Sequence, residues 1–183
     1  MLEDLSQKTG QLSQAFLSAN SGRLRQLSNQ CTYRAAVENS ALYAELAVLS
    51  YALHKLTTKV HVQQFSEWKK IRQNIIAGLL DGQAALKQKN VPGFQKLLAQ
   101  LQASIFKIDS KSGYFVQNLL EKSRVKQASS LYALGLSLSQ AAALTGADKK
   151  DLFNYIGYTK MHDEQPSGSK IAPRVKRLDG VLS

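Results

Sequence analysis

Apolar residues recur along most of this chain at intervals of three, four and seven, the spacing that lines one face of an α-helix. Leu2, Leu5, Leu12, Phe16 and Ala19 form the first such stripe, and Asn20-Ser21-Gly22 ends it. A longer stripe runs through Leu24, Leu27, Cys31, Ala35, Leu42, Leu46, Leu49, Leu53 and Leu56, with a candidate interruption at Asn39-Ser40 and an exit at Thr57-Thr58. From about Val62 to Lys87 a third carries Phe65, Trp68, Ile71, Ile75, Leu79 and Leu86, and Lys69, Lys70 and Arg72 sit off it. Asn90-Val91-Pro92 predicts a new helix start, because Asn can accept a free first-turn amide and Pro gives up no hydrogen bond there. That helix presents Phe94, Leu97, Leu98, Leu101, Ile105 and Ile108. Beyond Asp109-Ser110-Lys111-Ser112-Gly113 a fifth segment carries Phe115, Leu119, Val125, Ala128, Leu131 and Leu134 and stops at Gly135.

Short connections between long amphipathic helices favour antiparallel neighbours, so the pattern predicts an all-α fold. Residues 1–125 read as a helical bundle or helix-hairpin array, 126–158 as a helix-turn-helix module and 159–183 as a flexible basic tail. Helices of unequal length, without a small-large signature recurring every 34 residues or so, favour the bundle over tetratricopeptide-like stacking. No useful run of strand-like alternation occurs.

Residues 135–158 are written differently. Ser137 or Ser139 can cap a short helix ending near Thr145, Gly146 permits the positive φ of a sharp turn, and Asp148 can cap the next helix. Ala142, four positions before Gly146, leaves room for a close crossing, while Leu152 and Ile156 supply apolar anchors on the second helix. This is the helix-turn-helix pattern, and its free face offers Lys149, Lys150, Asn154 and Tyr158 to a major groove. Asn suits adenine, and Lys suits phosphate or guanine. Arg124 and Lys126, in a basic cluster with Lys107, Lys111 and Lys122, are candidate phosphate-positioning residues. Against this reading, Asp148 and Asp151 put two carboxylates in the first turn, where they suit the helix dipole but repel phosphate.

The stretch from Ser137 to Ile156 resembles the short helix-turn-helix of small prokaryotic antitoxins, in which a stretch of the type "slgqAAelaGvsrweflelL" is typical. Arg124 to Glu164 also resembles a module of uncharacterised archaeal proteins. The resemblance covers roughly a fifth of the chain and implies binding to operator DNA, hence transcription regulation. Where a toxin is encoded alongside, it also implies a protein partner held through a flexible tail.

Charge fits a polyanion partner. The 183 residues carry a formal net charge of +11, spread as 6 basic and 4 acidic groups over 1–60, 10 and 4 over 61–125, and 8 and 5 over 126–183. Double-stranded DNA is therefore the expected partner, with a homodimer open and no membrane partner expected. The best apolar stretch, Leu46 to Leu53, is far shorter than a membrane span, and the acidic start Met1-Leu2-Glu3-Asp4 does not read as a secretory signal. The single Cys31 lies among helix-core positions, which fits a reducing, cytoplasmic setting. The tail segment Gln165-Pro166-Ser167-Gly168-Ser169 with Lys170, Arg174, Lys176 and Arg177 reads as a solvated terminus or a phosphate-contacting arm.

Chemistry of other kinds finds no footing. His54, His61 and His162 lack partners at metal-ligand spacing, so no metal, cofactor or catalytic residue is expected and the chain reads as non-enzymatic. Arg34 and Arg72 have no histidine shortly downstream, which disfavours a helical ribonuclease. Gly78 and Gly82 flank Asp81 inside a helix rather than opening a phosphate loop. Trp68, Tyr43 and Tyr51 sit on or beside helical stripes and read as packing residues. A protein-interaction adaptor built on the helical array is the competing expectation.

Overall fold

A computed structural model describes residues 1–64, 66–111 and 118–163, without the side chains of residues 61, 107–111 and 159–163. Within them lie nine helices and no strand: α1 (Leu2–Leu17), α2 (Ser21–Glu38), α3 (Ala41–Thr58), α4 (Val60–Gln63), α5 (Trp68–Lys87), α6 (Val91–Lys111), α7 (Leu119–Ala133), α8 (Leu138–Thr145) and α9 (Lys149–Asp163). Asparagines punctuate the first half. Asn20 Oδ1 accepts the Arg23 amide at 2.9 Å and starts α2, and Asn90 Oδ1 does the same for Gly93 at the head of α6. Asn39 ends α2 with φ 48, so the long second stripe is two helices rather than one.

These short turns fold the chain back on itself. Arg23 Nη2 donates to Gln11 Oε1 at 3.0 Å across α1 and α2, and Ser28 Oγ donates to Ala47 O at 2.9 Å across α2 and α3. Ser6 Oγ donates to Gln83 O at 3.3 Å, while Trp68 at the other end of α5 meets Phe16 edge-on with centroids 6.2 Å apart. Helices α1 and α5 are thus antiparallel. Between α5 and α6 the approach is close: a Cβ on Gly78 would fall 2.8 Å from Leu101 Cδ2, so only glycine leaves that leucine its place.

One hydrophobic cluster runs through the whole assembly, from Leu5 and Phe16 through Leu46, Leu53 and Phe94 to Leu131, Ala141 and Leu152. The expected boundary at 125/126 meets a continuous helix. It falls inside α7, whose Leu120 and Ala128 lie on either side of it and join the same cluster. The small module shares its core with the bundle instead of standing apart. Its last helix also runs to Asp163, past the expected end at Tyr158, because nothing in Thr159–Asp163 breaks a helix. The tail beyond 163, Phe65, Phe115 and the side chains of His61, Lys107, Ile108, Lys111 and His162 lie outside the described residues.

Cys31 is fully buried, and burial pushes its thiol up to about 12. Thiolate is the reactive form, so the folded protein should react slowly with a thiol reagent at pH 8 and rapidly once unfolded in guanidinium. Full, fast labelling of the native protein would mean that α2 does not pack as described.

Candidate nucleic-acid interface

Three helices of the carboxy-terminal third touch one another pairwise, α7 with α8, α7 with α9 and α8 with α9, and α8 also rests on α3. Local chemistry sets each boundary. Ser137 Oγ accepts the Gln140 amide at 3.2 Å and Gln140 Oε1 accepts the Ser137 amide at 3.1 Å, a reciprocal cap that starts α8. Gly146 ends it at φ +68, a region other residues enter only at a cost. Asp148 Oδ1 then accepts the amides of Lys150 at 2.8 Å and Asp151 at 3.0 Å, starting α9. Ala141, Ala142 and Leu152 are buried, and Ile156 is half-buried against them.

Burying Leu152 turns the opposite side of α9 outward. Lys149, Lys150, Asn154 and Tyr158 are all exposed, Tyr158 to 72%. Lys150, Asn154 and Tyr158 follow one another at intervals of four, a ridge about 12 Å long at 1.5 Å per residue. A B-DNA major groove is about 12 Å wide.

Arg124 and Lys126 sit on α7, beside α9. Arg124 is half-buried on α7, donates from Nη2 to Gln102 Oε1 at 3.1 Å, and packs its guanidinium 3.7 Å from where a Cβ on Gly146 would stand. Its charge lies near Glu45, whose carboxyl is held above the ordinary range by burial, against the pull of Arg124. Arg124 therefore pins the turn to α6 rather than standing on the ridge. Lys126 is also half-buried, with Nζ 5.9 Å from the Tyr155 ring centroid, within cation–π range.

The carboxylates divide. Asp148 is occupied by the two amides it caps, whereas Asp151 is exposed at the rim of a cleft of about 340 Å³ between α7 and α9. Glu121, Lys122 and Val125 line its α7 wall, and Asn154, Tyr155 and Tyr158 share the other wall with Asp151.

Sequence reasoning passed over Phe153, which is 68% exposed, and Gly157, whose missing side chain would meet nothing within 4 Å. The signal was available: once Leu152 and Ile156 define the inward side, the next position falls about 100° round the helix. Phe153 beside a bare Gly157 makes an apolar shelf next to the Lys149–Lys150 pair.

Among the described residues, no three His, Cys, Asp or Glu side chains converge as metal ligands, and no helix is long and apolar enough to cross a membrane. No family model, curated protein or solved structure matches the chain.

Proposed function

We propose that the protein is a DNA-binding regulator that lays α9 in a major groove, with Lys149 and Lys150 on phosphates and Asn154 on a base edge. One observation supports this above the rest: Leu152 is fully buried while Lys149, Lys150, Asn154 and Tyr158 are exposed on a helix that follows a tight Gly146 turn. The net charge of +11 adds a long-range attraction to a polyanion. The likeness of Ser137–Ile156 to antitoxin helix-turn-helices extends the proposal to an operator-binding role with a toxin as protein partner.

A gel-shift series at rising salt tests it. Each phosphate neutralised contributes about 0.9 to the slope of log affinity against log salt, so Lys149→Ala/Lys150→Ala/Asn154→Ala should flatten that slope by about 2. All three side chains are exposed, so thermal melting should stay unchanged. Absence of salt-sensitive duplex binding by the unaltered protein removes the proposal.

A second reading, a protein-docking module, draws on Phe153 and on the carboxylates Asp151 and Glu121 at the α7–α9 cleft. Aromatic surface beside carboxylates suits a basic segment of another protein better than a phosphate chain. Co-purification of one defined partner, lost in Phe153→Ala and without retained nucleic acid, would favour it.

A further inference from the structure

A second group of positive charges lies off α9. It gathers at one pole of the bundle, where α1 ends, α2 begins, α3 ends and α5 begins. Three contacts bring these segments together, and a fourth orders the end of α3. His54 Nδ1 lies 2.9 Å from Ser21 O, joining the end of α3 to the start of α2. Arg72 Nη2 donates to Leu17 O and reaches Phe16 O at 3.5 Å, joining α5 to the end of α1. Trp68 meets Phe16 at the same level. Lys55 Nζ stands 5.3 Å from the Tyr51 ring centroid, and that ring lies 5.8 Å from the His54 ring.

Arg23, Arg25, Lys55, Lys69, Lys70 and Arg72 all belong to these segments, and Glu67 is the one carboxylate among their described residues. Arg25, Lys69 and Lys70 are exposed, whereas Arg23 and Arg72 are held by hydrogen bonds to Gln11, Gln26 and the α1 carbonyls. The field is felt locally: His54 is held below the ordinary imidazole range chiefly by burial, with Lys55 and Arg25 adding to the effect and the Ser21 carbonyl opposing it. Like charges at one pole repel one another and weaken the compact state unless something anionic neutralises them.

We propose that this pole is a second nucleic-acid surface, which takes the phosphate backbone through Arg25, Lys69 and Lys70 independently of α9. Guanidinium and ammonium groups on separate helix ends match a line of phosphates, and they carry no base reader, so the contact is indifferent to sequence. An anionic membrane fits less well. Among the described residues, the exposed apolar groups here are the single aliphatics Leu17 and Val60, and Trp68 is half-buried against Phe16, so these residues form no broad apolar face to enter lipid.

The test compares the full-length protein with Arg25→Glu/Lys69→Glu/Lys70→Glu. Binding is read to a mixed-sequence duplex, to its single strand and to phosphatidylcholine vesicles containing phosphatidylserine, between about 50 and 200 mM salt. The triple variant should lose about tenfold or more in affinity for nucleic acid at the low-salt end and flatten the salt slope by about 2–3. Any sequence preference should survive, and so should the melting temperature. The alanine triple, which adds no new charge, should show the same slope change and guards against misfolding of the glutamate version. An unchanged slope in both variants overturns the proposal. So does stronger retention on the vesicles than on either nucleic acid, or absence of salt-sensitive nucleic-acid binding by the unaltered protein. Loss of sequence preference in the α9 variant, with the pole intact, remains a separate result that bears only on α9.

Discussion

Leu152→Ala should cost about 2–5 kcal/mol of stability, the range for emptying a fully buried leucine site. Leu152 is the one fully buried side chain among those described in α9, and its nearest support, Ile156, is half-buried. Removing it should undock the helix as well as lower the melting point. Hydrogen exchange at residues 149–158 should then accelerate by more than in the α2–α3 hairpin, and duplex affinity should fall although no proposed contact has been touched. Its neighbour supplies the control. Phe153→Ala removes a larger side chain from an exposed position and should move stability by no more than about 0.5 kcal/mol. Equal costs at 152 and 153 would mean that α9 is not seated on α7 and α8 as described.

Much of this architecture is legible locally. Asparagine at 20, 39 and 90 marks three helix ends because its short amide either caps a first turn or tolerates positive φ, and both are properties of one residue and its neighbours. The same holds for Ser137 with Gln140, and for Gly146 with Asp148. Placement of Lys150 and Asn154 on the outside follows from Leu152 by helical periodicity alone, each lying two positions from it.

What escaped the sequence depends on how helices meet. Arg124 has the composition of a surface cation, yet α7 packs where its guanidinium reaches Gln102 and the Gly146 turn, 22 residues away on either side. The basic pole is assembled from three helix ends whose coincidence is set by the antiparallel order of α1, α2, α3 and α5. Read along the chain, Arg25, Lys55 and Lys69 are ordinary solvated residues; only the fold brings their helix ends to one pole. The shared core around residue 125 has a related origin. Leu120, Ala128 and Leu131 are spaced for one continuous stripe, and a small module too short to bury its own core borrows the bundle's.

The tie between α2 and α7 offers the clearest measurement of that borrowing. Thr32 Oγ1 shares its proton between Gln127 Oε1 at 2.7 Å and Ser28 O at 2.9 Å, and both side chains are buried, 95 residues apart in sequence. Thr32→Val should leave the Gln127 amide buried without this partner and cost about 1–3 kcal/mol, the penalty for a desolvated polar group. Gln127→Met, close in shape, should cost less, because Thr32 keeps Ser28 O. The double variant replaces a polar pair by an apolar one of similar volume, so its cost should be smaller than the sum of the singles by about 1 kcal/mol or more. Urea unfolding of the four proteins gives this coupling directly. Strict additivity would mean that Thr32 and Gln127 do not meet, and that α7 is held to α2 without this polar tie.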